Sequence, residues 1–372
     1  MIQEQNTDAI NAQILIEQAD SRFVVQNPPA LPLSTKQMDM IYEMPFTRRW
    51  HPMYDKPAEN GKNGIPALQE VKFSLTSCRG CFGACSFCAI TFHQGRRIQV
   101  RSHKNILQEA LKMTEDKDFK GYIHDVGGPT ANFRQDACKN QKVSGACKNK
   151  DCLGTNPCKN LEVSHTDYVE LLQKLRNLPK VKKVFIRSGI RFDYLMMDKD
   201  KAFFRELCEH HISGQLKVAP ENVDDNVLRL MRKSTHQVYE EFSEEYKKMN
   251  EKMGKKQYLV PYYIAGHPGA DLNSALQTAL YLKKTGFIPE QIQDFYPTPG
   301  SLATCMYWTE LNPRNKMSDG SFEKVYVSKK ARERRLHRAL LQFNHKENIP
   351  LVKEALRLLH KEDLFRTLYK KN

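Results

Sequence analysis

Nothing in the 372 residues is apolar for long enough to cross a bilayer as a helix: no run of about 18 uncharged apolar side chains occurs, and membrane-embedded chemistry is excluded on that ground. Acidic residues are the second shortage. Asp and Glu number 43 against 58 Lys and Arg, a formal net charge of +15. Such an excess favours a polyanionic partner, nucleic acid included, with a lysine-rich solvated surface as the alternative. The shortage is greatest from Glu310 to Asn372, where 16 basic residues face 8 acidic ones, so that this stretch carries +8 of the total. An acidic partner is expected to dock there, although the tail shows no recognisable RNA-binding module. A secretory leader is also lacking. The expectation is therefore a cytoplasmic protein with reduced thiols, which argues against disulfides among its ten cysteines.

Four of those cysteines fall within eleven residues, Cys78-Arg-Gly-Cys81-Phe-Gly-Ala-Cys85-Ser-Phe-Cys88. Cys81, Cys85 and Cys88 have the spacing Cys-x3-Cys-x2-Cys, and the small residues Gly80, Gly83, Ala84 and Ser86 let the backbone curl so that three sulfurs aim at one point. Three thiolates suit an iron-sulfur cluster with one iron left without a protein ligand. Including Cys78, the run also reads as two Cys-x2-Cys pairs, a possible zinc site. Three residues between the pairs are too few to fold both halves around one tetrahedral ion, since paired zinc knuckles stand about 15 to 20 residues apart.

The loop, with Phe87 before its last cysteine and an alternating apolar run ahead of it, resembles that of the radical S-adenosylmethionine (SAM) superfamily. Arg79–Ile90, Asp125-Val-Gly-Gly-Pro-Thr-Ala-Asn132, Leu216-Lys-Val-Ala-Pro-Glu221 and His267-Pro-Gly269 resemble the YgiQ-type group within it, over roughly residues 20 to 360. The resemblance implies a [4Fe-4S] cluster on Cys81, Cys85 and Cys88, with SAM chelating the fourth iron through its amino and carboxylate groups. It also implies a reducing electron donor such as flavodoxin or ferredoxin, oxygen sensitivity, and a 5′-deoxyadenosyl radical that abstracts hydrogen from a substrate the sequence does not name. Phe87, Gly127, Gly128, Ser188, Arg191 and Glu221 are the implied SAM-binding positions, with Arg191 suited to the carboxylate of SAM. For Gly127 and Gly128 only a backbone contact is carried over, because Pro129 stands where many members have an acid. A Gly128→Val side chain is expected to project toward bound SAM and spare the cluster. Two rivals stay open: an RNA-modifying, methylthiolation-like radical SAM enzyme, and a non-catalytic nucleic-acid-binding protein with a structural metal site.

Along the chain, residues 1–70 read as an approach segment, with a short helix over Asp8–Ala19, an extended Asn27–Leu33, a capping box at Ser34-Thr-Lys-Gln37 opening a helix that Pro45 ends, and a loop over 55–66. The family usually carries a further domain ahead of this point, so the expectation is that it is missing or truncated here. Residues 71–310 alternate strands and helices. Strands are predicted at 71–76, 121–126, 182–187, 215–219, 258–264 and 291–296, with helical stripes such as Leu171, Leu172, Leu175 and Leu276, Ala279, Leu282 between them. Such alternation predicts an α/β fold with a parallel sheet. Six units suit the partial (βα)6 TIM-like barrel that the resemblance implies, and in either parallel fold chemistry gathers at the carboxyl ends of the strands. Residues 311–372 are predicted as a basic helical extension: a polar loop over 312–321, an amphipathic helix from Ala331 to Phe343, another begun by Pro350, and a frayed Lys370-Lys-Asn372.

A second cysteine group, Cys138, Cys147, Cys152 and Cys158, lies in a Lys- and Asn-rich insertion, 132–164, after the second strand. No apolar periodicity organises it, which predicts a lid ordered by zinc or a second cluster, or else mobile free thiols; the spacings match no zinc signature. His124 and His267 are candidate proton carriers facing a substrate cavity. Cys208 and Cys305 read as buried or incidental thiols, and Tyr262, Tyr263, Phe295 and Tyr296 as wall and core.

Overall fold

A computed structural model describes residues 2–55 and 64–370. The six expected strand regions all form. In chain order after an N-terminal hairpin (β1 Leu15–Ala19, β2 Arg22–Gln26), they are β3 Ser74–Thr76; β6 Tyr122–Ile123 with β7 Asp125–Gly127; β8 Lys183–Val184; β9 Gln215–Glu221; β10 Tyr258–Ala265; and β11 Gln293–Asp294. A short antiparallel pair, β4 Cys78–Arg79 and β5 Gln99–Val100, intervenes. Every pairing among the six is parallel: β3 with β7, β6 with β8, β9 with β10 and β10 with β11. No ladder joins β8 to β9 or closes β11 onto β3 among the described residues, so the sheet is open.

The largest apolar core lies between these strands and the helices His103–Thr114, Thr166–Arg176 and His236–Lys252, with Leu75, Ile106, Val126, Leu171, Leu175, Phe203 and Phe242 all sealed from solvent. The last helix buries Tyr239, Phe242 and Tyr246, a 3- and 4-residue spacing that places them on one face. A second core joins the helix Leu272–Thr285 to Ala331–Leu341 and Ile349–Leu358; Leu336, Ala339, Leu340 and Phe343 are buried there while Arg332, Arg334, Arg335 and Arg338 face water. The amphipathic helices are therefore fastened to the barrel. Pro350 sits in the first turn as expected.

Several local expectations are corrected. Asp8–Ala19 is not a helix: the helix is Ile2–Gln5, Asp8 turns the chain by accepting from the Ile10 amide (3.0 Å), and residues 15–26 form the hairpin, reversing at Asp20 with φ +55°. Asp8 also accepts from the Ala146 amide (2.9 Å), a partner 138 residues away that no local pattern announces. Pro66 opens a helix, Pro66–Val71, so the first strand starts at Ser74 rather than residue 71; the rest of the expected 55–66 loop, residues 56–63, lies outside the described residues, as do Lys371 and Asn372. The first half of the polar stretch 312–321 is a strand, β12 Leu311–Lys316, paired antiparallel with β13 Phe322–Lys324, because Asn312 and Asn315 both donate to Glu323 across the turn. The Ser34 capping box and the extended 27–33 segment are as read.

The insertion also has a core, contrary to expectation. Phe133, Ala137, Cys152 and Leu153 are buried against Phe82 of the cysteine loop and Tyr194, and Phe82 stacks on Phe133 with ring centres 3.7 Å apart. Four buried side chains in 33 residues are too sparse to make a periodic signal, yet they suffice when the rest of the cluster comes from elsewhere.

Candidate functional site

β3 ends at Thr76 and the chain turns at once into the cysteine loop. The turn is pinned from three sides: Ser77 donates its amide to the Gly127 carbonyl (2.7 Å), and its own carbonyl accepts from the Arg101 amide (3.1 Å) and from Arg134 (2.8 Å). Gly80 has φ +85°, and a Cβ there would stand 2.0 Å from the Arg97 carbonyl oxygen, so only glycine fits. Cys81 donates its amide to Gly95 (3.0 Å), Ala84 takes φ +46°, and Cys88 closes a tight turn onto the Cys85 carbonyl (3.1 Å). Ser86 is tied on both sides, donating to Met231 and accepting from Ala303.

The thiols differ. Burial pushes the Cys88 thiol up to about 11 and raises that of Cys81, whose Sγ lies 3.3 Å from the Thr130 hydroxyl. Cys85 receives a hydrogen bond from Arg191 Nη1 at 3.4 Å. Cys78 is fully buried, its thiol pushed up to about 11 by desolvation, and its Sγ points at the Thr130 carbonyl. No three His, Cys, Asp or Glu side chains among the described residues converge as a metal ion would require. The first three thiols nevertheless sit within electrostatic reach of one another, beside a buried cation. Soft donors, a supporting positive charge and a loop drawn from small residues fit the ligand set of an iron-sulfur cluster.

Around this loop the strand ends supply the other residues. Gly127 and Gly128 close β7. A Cβ on Gly127 would meet the Ser188 hydroxyl at 2.0 Å, and one on Gly128 would meet Cys78 Sγ at 2.6 Å and Cys78 O at 2.7 Å. The Gly128 side-chain direction thus runs into the base of the cysteine loop, not toward a ligand. Ser188 donates its hydroxyl to Asp125, which also accepts the amides of Arg187 (2.8 Å) and Ser188 (3.0 Å). Arg191 is gripped by Asp193 through Nε (2.9 Å) and Nη2 (2.5 Å), and its backbone by Asn132. Burial works against the Arg191 charge, but Asp193 and then Cys85 hold its pKa above the ordinary guanidinium value. Glu221 ends β9 with φ +70°; burial raises its pKa, and Lys233, itself buried, stands 3.9 Å away.

Phe87 packs edge-on against His267 (5.8 Å), which is wholly buried, bonded to Ser86 and to the Pro268 carbonyl, and lowered to about 4 by desolvation. It is a neutral packing residue beneath the loop and does not face a cavity. His124 lies toward the opposite end of the sheet, its amide on Phe73, lining a cavity of about 510 Å³ with Trp50, Leu68 and Tyr122. Cys208 is buried, its thiol pushed up to about 12 by desolvation, and Cys305 is partly exposed on the helix Leu302–Thr309. Tyr263 and Phe295 are core, whereas Tyr262 and Tyr296 are exposed. Asp125 and Thr130 stood in the Gly-Gly motif without an assigned role, and Asp193 and Lys233 went unread in the sequence. Only Asp193, two residues beyond an arginine, offered a local signal.

Comparison with known proteins matches three segments of the chain. Residues 75–282 match the model for the Radical SAM superfamily, residues 1–74 that for the Radical SAM N-terminal region, and residues 290–368 a domain of unknown function, DUF3362. A UPF0313 protein of Clostridium botulinum (strain Okra / Type B1) is 58% identical over 98% of this chain and 55% of its own length, and one of Clostridium perfringens (strain SM101 / Type A) is 49% identical over 98% and 53%. The chain thus spans about half the length of the curated relatives it matches. Among solved structures, the radical SAM methyltransferase TsrM of Kitasatospora setae with cobalamin and a [4Fe-4S] cluster bound aligns over 92% of this chain and 71% of its own at a TM-score of 0.42, with 11% identity. The cobalamin-dependent radical enzyme OxsB aligns over 89% and 58% at 0.44, also with 11% identity.

Proposed function

Because the chain belongs to the radical SAM superfamily, we propose that Cys81, Cys85 and Cys88 ligate three irons of a [4Fe-4S] cluster and that this protein cleaves SAM reductively to abstract hydrogen from a substrate not yet identified. The bound cluster would supply the electron that breaks a carbon–sulfur bond of SAM, giving methionine and a 5′-deoxyadenosyl radical. The protein's own contribution is positional. Gly80 and the hydrogen bond from the Cys81 amide to the Gly95 carbonyl hold the loop curled, and Phe87 on His267 backs it from below. Bare backbone at Gly127 and Gly128, and the Ser188 turn organised by Asp125, present polar groups to SAM. Glu221 and Lys233 form a second buried polar pair at the end of β9, suited to the ribose and carboxylate of SAM. Arg191 is reassigned within this reading: its fork is filled by Asp193, and its free edge faces Cys85, so it supports the cluster ligands rather than the SAM carboxylate.

The observation that carries the reading is the contact of buried Arg191 with partly exposed Cys85, which joins the loop after β3 to the loop after β8 at the carboxyl ends of the strands. A reducing partner such as flavodoxin or ferredoxin and an acidic or nucleic-acid partner on the basic C-terminal helices belong to the same reading. Anaerobic reconstitution with iron and sulfide, followed by SAM and dithionite with mass spectrometry of the products, tests it. The expected result is about four irons per chain attributable to this loop, 5′-deoxyadenosine among the products, and loss of both in Cys81→Ala, Cys85→Ala or Cys88→Ala. Cys78→Ala should keep them, because Cys78 Sγ faces the Thr130 carbonyl in the core. A cluster that depends on Cys78, or one that leaves SAM intact, defeats the proposal.

A further inference from the structure

The insertion that was expected to lack a core receives, from the segment after the first cysteine loop, a buried cation with no ion-pair partner among the described residues. Arg96 is 3% exposed, yet no carboxylate among the described residues pairs with it. Its guanidinium donates to the carbonyls of Cys147 (2.6 Å) and Lys150 (3.1 Å) and to Cys152 Sγ (3.9 Å), and its Nε has no partner. Gln141, also buried, aims its amide at the same sulfur (3.7 Å). Cys158 donates its amide to the Cys152 carbonyl (3.1 Å), and Cys138 caps the helix that carries Gln141. Two buried donors therefore converge on Cys152, and the other three thiols of the group stand on segments bonded to or around it.

We propose that Cys138, Cys147, Cys152 and Cys158 hold a thiolate-bound metal centre of their own, with Arg96 as its buried counter-cation. A buried positive charge without a negative partner is costly. Four thiolates around a divalent ion or a dicationic cluster leave a net charge of about −2, which supplies the missing partner. N–H donors on a ligating sulfur are the usual outer support of such a centre. Loading requires the thiols to turn inward, since they do not converge. The centre would also brace the first cysteine loop, because the residues just before Arg96 serve that loop: Gln94 accepts the Gly80 amide (3.1 Å) and Gly95 the Cys81 amide (3.0 Å). The inference stands apart from the radical SAM reading, since it uses none of that site's ligands.

The test uses the full chain carrying Cys81→Ala, Cys85→Ala and Cys88→Ala, loaded anaerobically with zinc alone in one arm and with ferrous iron plus sulfide in the other. After gel filtration, one arm should retain either one zinc or about four irons and four sulfides per chain, with four thiols shielded from a thiol reagent. Cys152→Ser should abolish retention. Arg96→Gln should weaken it against a chelator by about 10- to 100-fold, with Arg96→Lys partly restoring it. On the chain with its first loop intact, the same centre adds to the metal count, which covers the case in which the triple variant fails to fold. If both arms leave the chain metal-free with all four thiols reactive, the proposal falls. Retention that survives Cys152→Ser in a variant with the parent's circular dichroism overturns it equally.

Discussion

Gly128→Ala is the smallest change that separates two views of the Gly-Gly turn. A single methyl there would lie 2.6 Å from Cys78 Sγ and 2.7 Å from the Cys78 carbonyl oxygen, several tenths of an ångström inside normal contact. One of those atoms belongs to the backbone, so no rotamer change relieves it. Cys78 is fully buried and paired through β4 with β5, which leaves little room to retreat. Forced overpacking of this kind costs about 1–3 kcal/mol, and valine, with two more methyls, should sit at or above the top of that range. The strain falls three residues before Cys81, so the expected outcome is a lowered urea midpoint together with reduced iron content after reconstitution. That differs from a ligand-facing glycine, whose substitution would lower SAM affinity at full iron content and full stability. Denaturation curves, iron analysis and calorimetric SAM titration on the same preparation distinguish the two. A Gly128→Ala chain with the parent's stability and iron content but weakened SAM binding would refute the packing argument.

Phe82→Ala should lower stability by about 3–5 kcal/mol, the usual cost of emptying a buried aromatic site, because Phe82 is sealed between Phe133 and Tyr194; a loss under about 1 kcal/mol by urea denaturation would show that the insertion is not anchored there. Acid sensitivity should arise in part from His337, buried beside Leu336 with its pKa lowered by desolvation to about 4. A histidine held neutral in the fold contributes stability that is complete above its unfolded pKa of about 6.5 and is lost as pH falls from there toward about 4. Denaturation midpoints of His337→Gln should therefore fall less steeply across that window than those of the parent; parallel curves would remove the histidine from the acid limb.

The parts of the fold visible in the sequence are those written in short-range pattern. Each barrel strand is a compact apolar run and each crossover helix a stripe at 3- and 4-residue spacing, so six strands and their parallel order followed from periodicity and handedness alone. The elements misread were those whose partners are remote. Asp8 reads as part of a helix until Ala146 claims its carboxylate, and the asparagines of β12 read as loop until Glu323 faces them. The insertion has no periodicity because half of its core, Phe82 and Tyr194, is contributed by other segments.

The candidate site divides the same way. Three cysteines at fixed spacing on one loop are legible because their geometry is local. The pairing of Arg191 with Asp193 and the placement of its remaining edge on Cys85 are not, since an arginine at a strand end reads equally well as a carboxylate ligand. Charge accounting decides between them once the partners are known. Asp193 is buried with its pKa lowered by Arg191 against the opposing pull of desolvation, so the pair is neutral as a unit. A neutral unit has little left to attract a second carboxylate, but its N–H edge can still stabilise negative sulfur. Lys233, 3.9 Å from a glutamate whose pKa is raised and also within electrostatic reach of Asp193, is the buried cation whose ammonium is not already gripped in a two-point ion pair. Within the proposed radical SAM reading, the SAM carboxylate is therefore expected at Lys233, which only the fold brings to the end of β9, rather than at Arg191.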